Sequence, residues 1–218
     1  MPPTADPATV KGLPESTLRP EHLAVLPTDV PAPPWSCRVR ALIWCQRASA
    51  PAFDWPGRPI PLAVAGFVEY LDTPVGRYHE VLAGNLLRTG TVPAVHVPFI
   101  AVDSLASVAG GRANWALPKT MADFEGELAG ATVRAGGDGW SLAARPAGAP
   151  PRSRGRIPLG LRFSAIGPLG RYRTTLRATG RPIRIRTEVH GQTLPGWLGQ
   201  GTHLAVVLTG RMSIEAPH

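Results

Sequence analysis

Lys119 is one of only two lysines in the chain; the other 21 of its 23 cationic side chains are arginine. Codon bias in a GC-rich genome accounts for a general surplus of arginine, but not for the exceptions. Lys11 lies in a proline-rich tail. Lys119 ends the run Asn114-Trp-Ala-Leu-Pro-Lys119, an apolar neighbourhood where a bare charge is unfavourable. An amine can lose its proton and act as a nucleophile, whereas a guanidinium in practice cannot. Upstream, Gly76-Arg77-Tyr78-His79-Glu80-Val81 sets an acid in what otherwise reads as a buried strand, with Tyr78 and Glu80 on one face. A glutamate there is costly without a partner. Just before the lysine comes Gly110-Gly111-Arg112, a glycine pair that lets backbones approach closely, followed by an arginine. If strand and loop meet, one amine, one carboxylate and one fixed cation surround a pocket walled by Trp115 and Leu117. That set suffices for Schiff-base chemistry on a keto acid. The same residues equally admit a structural Glu80–Arg112 ion pair with Lys119 in solvent.

The elements that must position this set are mostly strands. Residues 1–34 hold nine prolines and little apolar periodicity, so they read as an extended arm that is disordered or wraps a neighbour. From Trp35 the texture changes. WSCRVRALIWCQ, PLAVAGFVEYL, RYHEVLAGNLL, AVHVPFIAVD, FEGELAG, WSLAARP, RYRTTLRATG, PIRIRTEVH and HLAVVLTGRMSIE all read as strands bounded by Gly, Pro, Asp or Asn. The spacing predicts an all-β barrel or sandwich over 35–218. One helix fits, from Ser104 to about Trp115, capped by Asp103-Ser104 and stopped before Pro118. Lys119 then falls at the turn into the next strand.

Composition bounds the function. With 218 residues and 44% apolar content, the chain can close one sizeable core, and 24 glycines with 25 prolines point to short strands and many turns. No apolar run reaches the roughly 18–20 residues that span a bilayer, and the N-terminus lacks a signal-peptide pattern, so a soluble cytoplasmic protein without membrane association is expected. The formal charge of +8 is concentrated at the C-terminal end: residues 151–218 carry 11 basic and two acidic groups. Nucleic acid is nevertheless not the expected partner. In Ile183-Arg184-Ile185-Arg186 the arginines alternate with apolar residues, as on a strand with one solvated face, and Tyr172 and Trp197 alone offer stacking. Cys37 and Cys45, eight apart on one strand face, are about 26 Å apart and cannot bridge. Without CxxC or clustered histidines, no metal site and no cofactor are expected.

The run GRANWALPKT resembles the signature of the acetoacetate decarboxylase family, in which Gly-Arg-Glu precedes a Pro-Lys pair at fixed spacing. GRYHE resembles that family's upstream Tyr-x-Glu strand, and VPAVHVPFIAVDS occupies the place of the strand leading into the signature. The resemblance runs from about Thr73 to Lys119, and more loosely over Trp35 to Glu215. It implies a mainly β fold, barrel-like or double-sheeted with one or two short helices. It also implies an interior Lys119 that condenses with the ketone of a small β-keto acid, so that carbon dioxide can leave. Glu80 is the implied acid, with Tyr78, Arg112, Trp115 and Leu117 around the substrate and Arg47 the nearest candidate for holding its carboxylate. A homo-oligomer is the implied assembly. Desolvation and a neighbouring cation are known routes to an activated lysine, acetoacetate decarboxylase being the standard example of the latter.

Departures from the pattern narrow this expectation. Thr120 stands where the family has a second lysine, Ala113 replaces the acid of Gly-Arg-Glu, and a further family acid would fall near Ala65 or Gly66. Glu80 is then the one family carboxylate left, and activation falls to desolvation with Arg112 as a longer-range cation. An imine-forming aldolase or dehydratase of the same fold, or a non-catalytic small-molecule binder, are the alternatives.

Overall fold

Alternation along the strands does not feed a single core here. In β1 (Trp35–Gln46), Trp35, Cys37, Val39 and Ala41 are buried on one face, and from Leu42 burial passes to the opposite face with Trp44. β2 (Arg58–Asp72) repeats the division, with Ala63, Ala65 and Phe67 in one cluster and Val68 and Tyr70 in the other. Period-two geometry permits this when both faces of a curled sheet are covered. It also explains the cysteines. Both are free; Cys37 is buried, whereas Cys45 is exposed because the core on its face has ended.

The computed structural model describes residues 4–48, 57–89, 92–128, 130, 132–148 and 156–218. β3 (Tyr78–Thr89) and β4 (Val92–Val102) follow β2 as antiparallel neighbours. β9 (Ile157–Gly167) joins β4 in parallel through Ala94↔Ser164 and Val95↔Ala165. β10 (Gly170–His190) pairs with β9 and with β11 (Gly201–Ile214), and β11 returns to β1. Seven strands thus form a closed circuit. The core they share holds Val39, Tyr70, Tyr78, Val102, Ala165, Tyr172 and Leu208, together with Val108 and Trp115 of the helix α2 (Leu105–Trp115). Closure removes the free edges that open sheets expose.

β10 is long enough to serve two layers. Its last residues, Ile185–His190, pair with β8 (Trp140–Pro146), which continues through β7 (Val133–Gly137) to β6 (Asp123–Gly126). Between this layer and the outer face of β2–β4 lies the second core, where Phe99 meets Trp140 edge to face at 4.9 Å. A short helix α3 (Leu194–Trp197) closes it with Leu194 and Trp197. The expected mainly β architecture holds, with two differences. RYRTTLRATG and PIRIRTEVH are one strand, since Gly180 and Pro182 keep their places opposite Leu208 and Val206 rather than breaking the ladder. β7, β9 and the short β5 (Lys119–Met121) are strands that the sequence pattern did not single out.

The proline-rich segment packs on its own chain. It forms a 3-10 turn at Pro14–Ser16 and a short helix α1 (Pro20–Ala24), and Leu13 is buried in the second core. Glu15 accepts from the Thr193 hydroxyl at 2.6 Å and from the Thr193 and Leu194 amides at 2.5 and 3.1 Å. Burial raises the Glu15 carboxyl, but these hydrogen bonds outweigh it and hold the group below its ordinary range. No helix among the described residues is long and apolar enough to cross a membrane.

Candidate active site

Lys119 is delivered by a helix end. Ser104 caps α2 by accepting from the Ser107 amide at 3.2 Å, and the helix runs to Trp115. Ala116 then takes the left-handed conformation, φ 50°, and its amide bonds back to the Arg112 carbonyl. Such a conformation costs about 1–2 kcal/mol for a residue other than glycine. It turns the chain through Leu117 and Pro118 so that Lys119 opens β5, parallel to β4 with Ile100 opposite.

The glycine pair admits two side chains rather than the second backbone that the sequence suggested. A Cβ on Gly110 would stand 2.5 Å from the Trp35 ring, and one on Gly111 would stand 2.5 and 2.7 Å from Cδ and Cε of Lys119. The lysine stem therefore lies directly across the bare backbone of the helix. Its Nζ donates to Glu80 Oε2 at 2.6 Å and to Ser107 Oγ at 2.9 Å, and sits 5.1 Å from the centre of the Tyr78 ring. Glu80 arrives from β3. Its other oxygen accepts from the Tyr70 hydroxyl at 3.1 Å, and Tyr70 and Tyr78, directly opposite on β2 and β3, stack at 4.3 Å. Burial, then the Glu80 charge, pushes both phenols well above their ordinary range, so each stays a proton donor. The Cys37 thiol, pushed up to about 12 chiefly by burial, also stays protonated.

Lys119, Glu80 and Tyr78 are thus brought together. Trp115 is buried beside them, edge-on to Trp35 at 4.9 Å, its indole donating to the Glu215 carbonyl at 2.8 Å; Leu117 packs partly buried against the same core. The Glu80–Arg112 ion pair that the sequence also allowed does not form, because Lys119 takes its place. Arg112 is engaged otherwise. Four of its five N–H groups go to carbonyls: Nε to Lys119 at 2.6 Å, Nη1 to Pro7 and Val10 at 2.8 and 3.0 Å, and Nη2 to Ser16 at 3.3 Å. Burial pulls its guanidinium down to about 10. Arg47 is exposed past the far end of β1, ten residues beyond Cys37, and the structure does not bring it to Lys119.

Two partners were missed by sequence reasoning. Ser107 is one hydroxyl in a helix of small residues and carries no signal of its own. Tyr70 could have been found from the hairpin turn at Thr73–Gly76, which sets it opposite Tyr78. The substituted family positions are also explained locally. Ala65 lies in the second core, a side chain at Gly66 would run into Ile43 and the Leu42 carbonyl, and the Thr120 hydroxyl donates to the Thr17 carbonyl at 3.0 Å. Lys119 lines none of three nearby cavities: one of about 320 Å³ that Glu80 shares with Phe67, Glu69, His79 and Phe124, one of about 300 Å³ at Arg112, and one of about 720 Å³ at Thr120 bounded by α1 and β6–β8.

Residues 54–138 match the model of the acetoacetate decarboxylase family, a span that contains every member of the cluster around the amine. No curated protein matches the sequence. Among solved structures, an acetoacetate decarboxylase from Legionella pneumophila superposes with a TM-score of 0.59 at 14% identity, over 98% of this chain and 96% of that one. An acetoacetate decarboxylase-like enzyme from Sphingomonas wittichii RW1 gives 0.55 at 15% identity, over 86% and 93%. The enduracididine biosynthesis enzyme MppR, complexed with the condensation product of pyruvate and imidazole 4-carboxaldehyde, gives 0.55 at 12% identity, over 85% and 88%. At these identities the structural likeness speaks for the fold.

Proposed function

We propose that this chain, whose residues 54–138 match the acetoacetate decarboxylase family model, is a lysine-dependent enzyme that decarboxylates a small β-keto acid through a Schiff base on Lys119. The observation that carries the reading is the buried amine held 2.6 Å from a single carboxylate, Glu80.

The chemistry follows from that pair. Glu80 takes a proton from the Lys119 ammonium, leaving a neutral amine beside a neutral acid. The amine attacks the substrate ketone, and a proton shift from nitrogen to oxygen gives the carbinolamine. Glu80 then protonates the carbinolamine hydroxyl, which leaves as water and yields the protonated imine. The bond to the carboxylate breaks, carbon dioxide departs, and its electron pair neutralises the iminium as an enamine. Protonation at carbon and hydrolysis release the ketone and free the amine. A positioned acid–base of this kind contributes about 10²–10⁴-fold. The Tyr78 ring face stabilises each cationic stage, by about 0.5–2 kcal/mol for a desolvated contact. The Tyr70 hydroxyl fixes the orientation of the Glu80 carboxyl. No adjacent lysine assists, since Thr120 occupies that place.

A second reading has its own support. With Ala113, and Ala65 or Gly66, where family acids would lie, one carboxylate must handle every proton, and an imine or enamine can then be used for condensation or dehydration instead. MppR, of similar fold, holds a condensation product of pyruvate. Incubation with acetoacetate, and separately with pyruvate and an aldehyde, decides between them. Carbon dioxide and acetone from the first favour decarboxylation; a condensation product from the second alone favours the aldolase. In either case Lys119→Arg must abolish turnover, because arginine keeps the charge and loses the nucleophile. The same reading carries a homo-oligomer in the cytoplasm, which sedimentation of the purified protein tests in part.

A further inference from the structure

The N-terminal arm touches both chain neighbours of Lys119 and reaches Lys119 itself through Arg112. Gly12 lies so close to Pro118 that a Cβ there would stand 2.5 Å from the proline ring and 2.7 Å from the Pro98 carbonyl. The Thr17 carbonyl accepts from the Thr120 hydroxyl at 3.0 Å. Between them, the Lys119 carbonyl is held by Arg112, whose remaining bonds go to the arm carbonyls of Pro7, Val10 and Ser16. The arm also grips the strand on which β5 rests. Leu13 donates to the Pro98 carbonyl at 3.0 Å, and Ser16 Oγ accepts from the amide of Ile100, the residue opposite Lys119.

We propose that residues 5–17 form a strap that sets the position of Lys119, and that Arg112 is a positioning residue acting through the lysine carbonyl rather than a binder of the substrate carboxylate. The inference rests on the Schiff-base reading of Lys119. A guanidinium buried without a carboxylate needs its N–H groups satisfied by fixed acceptors. The arm supplies three of the four, so the guanidinium and the arm order each other, and the lysine backbone is the fourth corner. Freed of the strap, β5 has three residues paired on one side only, with Ile100, Ala101 and Val102 of β4. A displacement of about 1 Å at a reacting atom costs on the order of a hundredfold in rate.

Gly12→Ala tests the strap from the arm side with Arg112 and Lys119 themselves unsubstituted, and Arg112→Lys tests the fork geometry with the charge kept. In both, reductive trapping of a carbonyl compound at Lys119 should slow about ten- to a hundredfold at saturation, with little change in half-saturating concentration and with circular dichroism unchanged. A rise in half-saturating concentration alone for Arg112→Lys would make Arg112 a substrate binder and overturn the proposal. So would wild-type trapping rates per folded molecule in Gly12→Ala. Hydrogen exchange separates this inference from the reading beneath it. If wild type gives no adduct with any carbonyl compound, the Schiff-base reading fails; the strap then still requires faster exchange at 117–121 in Gly12→Ala, and unchanged exchange there would overturn it.

Discussion

Lys119 Nζ and Glu80 Oε2 lie 2.6 Å apart with only 5% and 3% of their side chains exposed, although 39 residues separate them in the chain. A buried ion pair is poor value for stability alone, since desolvation offsets most of the attraction. This one is oriented by two hydroxyls: Ser107 accepts a second bond from the amine, and Tyr70 donates one to the acid. Such an arrangement is suited to moving a proton between two partners that stay in place.

Removing one partner should therefore cost more than removing both. Glu80→Gln leaves the ammonium without a counter-charge and is expected to lower stability by about 3–5 kcal/mol and turnover by about 10²–10⁴-fold. The double variant Lys119→Met with Glu80→Gln should recover much of the stability and none of the activity. Denaturant unfolding of the wild type, Glu80→Gln, Lys119→Met and the double variant measures the coupling; additive losses would show that the two groups do not interact.

Gly111→Ala should separate stability from function. Alanine in a helix interior is favoured over glycine by about 0.5–1 kcal/mol, and the atoms its methyl would meet belong to the flexible lysine stem. Unfolding is expected at the same or slightly higher temperature, with turnover reduced at least about tenfold because the amine is pushed off its partners. Full turnover in a folded Gly111→Ala protein would mean that the stem need not lie across the helix.

His96 gives the fold a predictable acid sensitivity. Burial pulls the imidazole down to about 3, against the opposing effect of the hydrogen bond to the Ile166 carbonyl at 2.9 Å. In the unfolded chain the group titrates near 6.5. Between these values the unfolded state binds the extra proton, so stability is full above about pH 6.5 and falls as pH drops towards 3, by up to about 1.4 kcal/mol per unit. The difference in unfolding free energy between wild type and His96→Gln should shrink across that window; parallel pH curves would contradict it.

Legibility in the sequence followed how local each signal was. Lys119 showed itself as a lysine where arginine is the rule, and Glu80 as an acid in an apolar alternation. Gly111 showed itself as a glycine inside a helix that required none. Period-two patterning likewise exposed most strands. Long-range docking left no comparable trace. Proline content marks 1–34 as extended but is silent on what it lies against, so its bonds to Arg112 were invisible and that arginine looked free for substrate. Arg47 was placed by analogy, and β1 carries it away from the amine. β9 was obscured because Ile157, Leu161 and Phe163 on its apolar face are exposed and its polar positions include Pro158 and Gly160, which read as loop.

The central claim is that Lys119 is the nucleophile. Borohydride reduction in the presence of acetoacetate or pyruvate, followed by peptide mapping, tests it directly. The account predicts one substrate-derived mass increment on the peptide containing Lys119, absent without the carbonyl compound and absent from Lys119→Arg. An increment on Lys11 instead, or turnover that persists in Lys119→Arg, would contradict it.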